Sequence, residues 1–90
     1  MWEIYEHNRI LIIIKKLPEE ILKRYEKWKD VIRISGPQGL KMIAGFHDEA
    51  LKGIRTGQRS SRLNIQFRVI YEVKKEEIKV YVVEIIPHKY

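Results

Sequence analysis

The sequence predicts an α+β fold in which an N-terminal strand and a two-helix hairpin precede a three-stranded antiparallel sheet, together forming a small mixed sheet. Three observations predict it: a long amphipathic helix pattern in the first half, three β-rich runs in the second half, and turn-forming residues between them. Because helices and strands are segregated along the chain, the pattern favours α+β. The 90 residues contain no visible linker or repeat, so we expect a single domain over residues 1–90.

The N-terminal segment begins with "WEIYE", which alternates like a short strand. The next segment, "NRILIIIKK", is open to two interpretations. Its isoleucines favour a strand, whereas its position before a long helix suits the first arm of a helical hairpin. We prefer the helix for residues 10–14.

The clearest helix pattern is "LPEEILKRYEKWKDVIRIS". Pro18 suits the first turn, and Glu19 and Glu20 suit the positive end of the helix dipole. The apolar residues that recur at helical spacing are Ile21, Leu22, Tyr25, Trp28, Val31 and Ile32. The charged residues predicted on the solvent side are Lys23, Arg24, Glu26, Lys27, Lys29, Asp30 and Arg33. Gly36 ends the helix, and "GPQGLKMIAGF" is predicted to be a loop with one or two helical turns.

The second half contains the β-rich runs "RSSRLN", "QFRVIYEV" and "IKVYVVEII", the last two joined by a polar hairpin connection, "KKEE". Alternation predicts a core face formed by Leu63, Ile65, Phe67, Val69, Tyr71 and Val73. It predicts a second face formed by Ser60, Arg62, Asn64, Arg68, Ile70, Glu72 and Lys74. A turn of about three residues would make Arg62 and Arg68 cross-strand neighbours.

Positive charge is concentrated in the second half of a chain whose formal charge is +6. Residues 50–90 contain nine Lys or Arg against four acids, whereas residues 1–49 contain nine against eight. A field of one sign attracts polyanions, so nucleic acid or an acidic protein is the expected partner. A basic surface that only confers solubility is the alternative.

Several classes of protein are excluded by composition. The chain has no Cys, which excludes disulfide frameworks, thiolate zinc sites and cysteine nucleophiles. Its longest apolar run, residues 10–14, is far shorter than the roughly 20 residues of a membrane span. We therefore expect a cytoplasmic protein with no membrane association.

The basic stretch between Glu49 and Glu72 contains no acidic residue. Two cations about 5 Å apart repel each other by roughly 1 kcal/mol in water, and a bound anion relieves this repulsion. The planar guanidinium of arginine donates two parallel hydrogen bonds to phosphate. Arg62 and Arg68 are therefore candidate phosphate ligands. The alternative is that each arginine lies over the sheet edge or pairs with a distant acid.

Other polar residues flank these strands: His47, Asp48 and Glu49 precede them, and His88 and Tyr90 follow them. A carboxylate or imidazole on either side of a phosphate would supply a general base and a general acid. A metal site from His47, Asp48 and His88 is a weaker hypothesis because no established ligand spacing is present, so we expect neither a metal nor another cofactor.

Taken together, "LPEEILKRYEKWKDVI", "GPQGLKMIAGFHDEALKG", "RSSRLN", "FRVIYEV" and the terminal "HKY" resemble the RelE/ParE superfamily of bacterial toxin-antitoxin toxins, and most closely the RelE, HigB and YoeB-like mRNA interferases. The resemblance covers nearly the whole chain. It implies a RelE-like fold and a toxin that cleaves mRNA in the ribosomal A site. The implied partners are a cognate antitoxin, in a toxin-antitoxin hetero-oligomer, and the ribosome with its mRNA.

The resemblance also implies roles for individual residues. The glutamate before the "L-x-G" motif of YoeB-like members, the general base, corresponds to Glu49, and His47 is the alternative base. The strand arginine corresponds to Arg68, and His88 and Tyr90 match the histidine and tyrosine that close the site. The residues implied to bind RNA are Lys52, Arg55, Arg59 and Arg62.

Two other functions are consistent with parts of the sequence. A ParE-like toxin would inhibit DNA gyrase without nuclease chemistry and would need no acid and base residues beside the arginines. A non-catalytic RNA-binding module would need exposed aromatic residues to stack on bases. Phe67 and Tyr71 are instead predicted to lie in the core.

Overall fold

The computed structural model describes residues 1–87. His88 and Tyr90, two of the predicted catalytic residues, lie outside the described residues. The strands are β1 (Glu3–Glu6), β2 (Glu49–Ala50), β3 (Arg59–Arg62), β4 (Phe67–Lys74) and β5 (Lys79–Pro87), and the helices are α1 (Asn8–Ile14) and α2 (Glu19–Ser35). Short 3-10 helices cover Pro37–Met42, Ala44–Phe46, Gly53–Arg55 and Lys75–Glu77.

The strands form one sheet in the order β1-β5-β4-β3-β2. β1 pairs with β5 in parallel, and the other three pairings are antiparallel. The sheet is therefore mixed, and the predicted α+β architecture is confirmed. The two-residue strand β2 adds an edge that the sequence pattern did not predict.

The long helix α2 covers one face of the sheet and supplies the centre of the core. Its buried apolar residues are Ile21, Tyr25, Trp28 and Ile32, as predicted from their spacing. The Trp28 ring contacts the ring of Tyr71 on β4 edge to face, with centroids 5.3 Å apart. This contact identifies the face of the sheet that carries Tyr71 as the helix-covered face.

The isoleucine-rich segment is a helix, so the preferred interpretation is confirmed. His7 precedes α1, and its Nδ1 accepts a hydrogen bond of 3.2 Å from the backbone N–H of Arg9, as a helix N-cap does. Ile10 is fully buried, whereas Leu11 and Ile12 are exposed. No described helix is long and apolar enough to cross a membrane.

A β-bulge in β5 changes which side chains face the helices. Ile70 pairs with Glu84, but the next residue, Tyr71, pairs with Val82, so Val83 is the extra residue. Its carbonyl accepts a hydrogen bond of 3.1 Å from Arg9 Nη2. The regular alternation of side chains between the two faces of the sheet is therefore interrupted in β5 at Val83.

The turn between β3 and β4 contradicts the prediction that Ile65 faces the core. Asn64 Oδ1 accepts hydrogen bonds from the backbone N–H groups of Gln66 and Phe67, at 2.8 and 2.7 Å. These bonds close an Asx-type turn. The strand therefore ends at Arg62, and Ile65 lies at the tip of the turn with 70% of its surface exposed.

Lys29 was predicted on the solvent side of α2, and this prediction is wrong. Only 7% of the surface of Lys29 is exposed. Its Nζ lies 3.3 Å from Glu6 Oε2 on β1 and 3.2 Å from Glu26 Oε1. The same Glu6 oxygen accepts a hydrogen bond of 2.5 Å from Tyr25. A buried ammonium requires such partners, and the pair fixes β1 against α2.

Replacing Lys29 with Met should lower the free energy of unfolding by about 2 kcal/mol, because the partly buried Glu6 then loses its cation partner while retaining the Tyr25 hydrogen bond. Urea denaturation would measure the change. Lys27→Met is the matched control, since Lys27 is exposed on the same helix, and its free energy should change by less than about 0.5 kcal/mol. Equal losses in both variants would contradict a structural role for the buried pair.

Candidate phosphate-binding site

The candidate site lies on the face of the sheet opposite the helices, here called the open face. Arg68 and Ile70 on β4 belong to this face, since Val69 and Tyr71 point into the core. Their partners across the ladders, Arg62 and Glu84, lie on the same face. Although it faces away from the helices, Ile70 is fully buried.

The strongest feature of the open face is the pair Arg62 and Arg68. These residues are directly opposite each other in the β3 and β4 register, as predicted. Opposed residues place their Cβ atoms about 5 Å apart. Both arginines are half-buried, and within residues 1–87 neither has an ion-pair partner. The Arg68 Nε is buried and has no hydrogen-bond acceptor among the described residues. Two adjacent cations with an unused buried donor form a site that an anion would stabilise.

Arg55, predicted as a free RNA ligand, has an acidic partner. Its Nη2 lies 2.7 Å from Glu84 Oε2, and its Nη1 donates a hydrogen bond of 2.9 Å to Gln58 Oε1. Gln58 in turn donates to Glu72 Oε2 at 3.1 Å. The alternative that an arginine of this stretch pairs with a distant acid therefore holds for Arg55, because β5 brings Glu84 to it.

Arg59 is also paired, and its partner is the side chain of Asp48. Arg59 Nε and Nη2 donate to Asp48 Oδ2 at 3.1 and 2.7 Å. The other carboxylate oxygen accepts hydrogen bonds from Ser61 Oγ, at 2.8 Å, and from the Tyr71 hydroxyl. Arg59 is directly opposite Tyr71 in the β3 and β4 register. It therefore lies on the helix-covered face, whereas Arg68 lies on the open face.

The sequence placed Asp48 among the carboxylates beside the strands, as a possible base or metal ligand, and did not predict this structural role. The carboxylate is fully buried, and both of its oxygens accept hydrogen bonds from protein groups. Within residues 1–87 no group of three or more His, Asp or Glu side chains could hold a metal ion. No local signal identifies Asp48 as the partner of Arg59, since the pairing of β2 with β3 brings them together.

The Asp48 cluster lies between the two candidate bases in the chain. His47 is exposed and has a left-handed backbone, with φ of 43° and ψ of 48°. Glu49 is exposed on β2 and pairs with Ser60, which is opposite Ile70. Glu49 therefore shares the open face with Arg68, and standard strand spacings put their Cα atoms about 12 Å apart. Lys52 is exposed in the following loop.

The environment of Tyr71 perturbs its ionisation. Burial raises the pKa of the Tyr71 hydroxyl above its ordinary value, and the hydrogen bond to Asp48 and the charge of Asp48 raise it further. Arg59 acts in the opposite direction. The hydroxyl therefore remains protonated, and remains a donor to Asp48, above the pH at which an exposed tyrosine ionises.

The protein should lose stability as the pH rises above about 10, the ordinary pKa of tyrosine. The unfolded chain then releases the Tyr71 proton while the folded chain retains it, so the free energy of unfolding falls with pH. Urea denaturation at several pH values from 9 to 11 would measure the slope. In Tyr71→Phe the slope should be smaller, and an unchanged slope would contradict this assignment.

Comparison with known proteins identifies the fold. The sequence matches no protein-family model, and no curated protein matches it significantly. Among solved structures, the chain is similar to the archaeal RelE-RelB complex from Pyrococcus horikoshii OT3, with a TM-score of 0.75 and 20% identity over 96% of this chain and 93% of that chain. It is similar to the heterotetrameric YoeB-YefM toxin-antitoxin complex from Staphylococcus aureus, with a TM-score of 0.73 and 18% identity over 100% and 99% of the chains. It is also similar to YafQ from E. coli strain BL21(DE3), with a TM-score of 0.73 and 10% identity over 98% and 94%. The predicted RelE-like fold is confirmed.

Proposed function

We propose that this protein, which has the fold of the RelE, YoeB and YafQ structures, is an endoribonuclease toxin of a type II toxin-antitoxin system that cleaves mRNA in the ribosomal A site. The observation that carries the proposal is the Arg62 and Arg68 pair, since two opposed, half-buried arginines with no acidic partner up to residue 87 suit a phosphodiester. The full-length similarity to toxins of such systems supports the biological setting.

The reaction we propose is attack of a ribose 2′-hydroxyl on the adjacent phosphate. A new bond forms from the 2′-oxygen to phosphorus, and the bond from phosphorus to the 5′-oxygen of the next nucleotide breaks. The 2′-hydroxyl proton passes to a general base, and the leaving 5′-oxygen receives a proton from a general acid. The products are a 2′,3′-cyclic phosphate and a 5′-hydroxyl end. No cofactor is required.

Arg68 and Arg62 would stabilise the additional negative charge on the phosphate as the 2′-oxygen attacks. Their Cα atoms are directly opposite each other in the β3 and β4 ladder, so both guanidinium groups could reach the same phosphate. Arg68 would make the closer contact, because its buried Nε has no acceptor in the part of the chain that the structure describes. The phosphate would supply that acceptor.

For the general base we propose Glu49, with His47 as the alternative. Glu49 is an exposed carboxylate on the open face, and its strand is the edge next to β3. His88 and Tyr90, outside the described residues, remain proposals for the general acid and for closing the site. Lys52, exposed beyond β2, would bind a flanking phosphate together with Arg62.

The proposed partners are a cognate antitoxin, the ribosome and mRNA. The YoeB chain in the heterotetrameric toxin-antitoxin complex has this fold over its full length, which supports an antitoxin partner and a hetero-oligomer. Action on translating ribosomes implies a cytoplasmic location.

Primer extension on a defined mRNA, in a purified translation system with and without ribosomes, would test the proposal. We expect cuts at codon-defined positions only when ribosomes are present. Glu49→Gln should reduce cleavage by about 10²- to 10⁴-fold if Glu49 is the base, and His47→Gln would show this loss instead if His47 is the base. Glu20→Gln, an exposed carboxylate on α2, is the matched control and should cleave normally. Growth arrest by the native protein without any mRNA cleavage would sink the proposal and favour a ParE-like action on gyrase.

A further inference from the structure

A cavity lined by cations lies on the helix-covered side of the molecule, away from the open face and its pair Arg62 and Arg68. It has a volume of about 450 Å³. The polar and aromatic side chains that line it are Trp2, Gln38, Lys41, Arg59 and Lys75. Three of these five are cations, and none of the described residues lining the cavity is acidic. Its volume lies in the range of small-molecule sites.

The cations of this cavity have donors available for a ligand. Asp48 accepts from the Nε and Nη2 of Arg59, and the Arg59 side chain is still 24% exposed, so part of the guanidinium faces the cavity. Asp48 itself is fully buried, so it fixes the guanidinium without entering the cavity. Lys41 and Lys75 are exposed and form no ion pair within residues 1–87. The cavity therefore combines a guanidinium that Asp48 holds in place with two ammonium groups that have no acidic partner within residues 1–87.

The aromatic wall of the cavity is held by close packing. Gly36 has φ of +76°, and a Cβ at this position would lie 2.7 Å from Trp2 Nε1. The indole therefore packs directly against the Gly36 backbone, which a larger residue would prevent. Pro37, which is buried, follows immediately. A half-buried indole beside cations offers a surface on which a nucleobase can stack.

We propose that this cavity binds a phosphate group carried by a nucleotide, at a site distinct from the Arg62 and Arg68 pair. The Arg59 guanidinium and the lysines would bind the phosphate, and Trp2 would contact the base. The nucleotide can be a free nucleoside monophosphate or one unit of an RNA chain. The proposal goes beyond the nuclease function and does not depend on cleavage, because Arg59 faces away from Arg68.

Titration with adenosine monophosphate, inorganic phosphate and a short RNA, followed by the NMR signals of the two indole N–H groups, would test the proposal. The chain has only two tryptophans, and Trp28 is fully buried, so its signal is an internal reference. We expect saturable shifts of the Trp2 signal with the monophosphate and a stable Trp28 signal. Inorganic phosphate should compete for the same site.

Matched charge-reversal variants would locate the binding. The double variant Lys41→Glu and Lys75→Glu should bind at least about tenfold more weakly, because two charged contacts are lost. The control, Lys15→Glu and Lys16→Glu, has the same net charge and reverses exposed lysines at the end of α1, so its affinity should match the native value. Arg68→Ala should also retain binding, and this result separates the cavity from the proposed nuclease site.

The pattern of probes distinguishes the sources of the phosphate. Binding of the free monophosphate and RNA, both weakened in the Lys41 and Lys75 variant, supports a nucleotide site open to either source. Binding of RNA alone, weakened in the same variant, supports an RNA contact. Equal affinities in the two double variants, or no saturable shift of the Trp2 signal with any phosphate probe, would overturn the proposal.

Discussion

Replacing Asp48 with alanine is expected to lower the free energy of unfolding by about 3 to 5 kcal/mol, one of the two largest effects that we predict. Its fully buried carboxylate accepts hydrogen bonds from Arg59, Ser61 and Tyr71. Alanine would leave four donor groups on three side chains without an acceptor, two of them on the charged guanidinium of Arg59. Domains of this size have only about 5 to 15 kcal/mol of stability, so the variant would lose a large share of the total.

Urea denaturation of three variants would test this expectation. Asp48→Asn retains the shape of the side chain and one acceptor oxygen but loses the negative charge. Its free energy of unfolding should therefore lie between the values for the native protein and for Asp48→Ala. Asp30→Ala is the control, because Asp30 pairs with Arg33 on the exposed surface of α2, and its change should be below about 1 kcal/mol. If Asp48→Ala were no more destabilised than Asp30→Ala, the Asp48 cluster would not stabilise the fold.

Replacing Arg68 with alanine is expected to reduce mRNA cleavage by about 10²- to 10³-fold while leaving the fold stable. The loss is that of one preorganised donor to the charge that develops at the reacting phosphate. The free energy of unfolding should be maintained, because Arg68 has no acidic partner within residues 1–87 and no ion pair is lost. Removing Arg68 also ends its repulsion of Arg62. If cleavage falls while stability is maintained, Arg68 acts on the phosphate. An arginine with a structural role would lower both when it is removed.

Single-turnover cleavage on stalled ribosomes, together with urea denaturation, would measure both quantities. Arg68→Lys should recover only part of the activity, because lysine keeps the charge but cannot donate two parallel hydrogen bonds. The control is Arg33→Ala, which removes a helix arginine paired with Asp30 and should cleave normally. Full activity in Arg68→Ala would show that the paired arginines do not bind the scissile phosphate.

The sequence predicted the parts of the site that depend on local periodicity. Alternation along β4 placed Arg68 and Tyr71 on opposite faces, and the short turn before it placed Arg62 opposite Arg68. Both follow from the two-residue repeat of a strand, which the chain carries within a dozen residues. Ile65 was misplaced because the hydrogen bonds of Asn64 end the strand, and a pattern of apolar residues does not reveal these bonds.

By itself, the sequence determined the helix α2, the β4 and β5 hairpin and the facing arginines, because neighbouring residues specify them through spacing and turn chemistry. Which cations lack an acidic partner among the described residues depends on the tertiary structure. Glu6 pairs with Lys29, Asp48 with Arg59 and Glu84 with Arg55, at separations of 23, 11 and 29 residues. The partner of a charge depends on which strands become adjacent when the apolar core is buried, and that information is absent from the local sequence around either member of the pair.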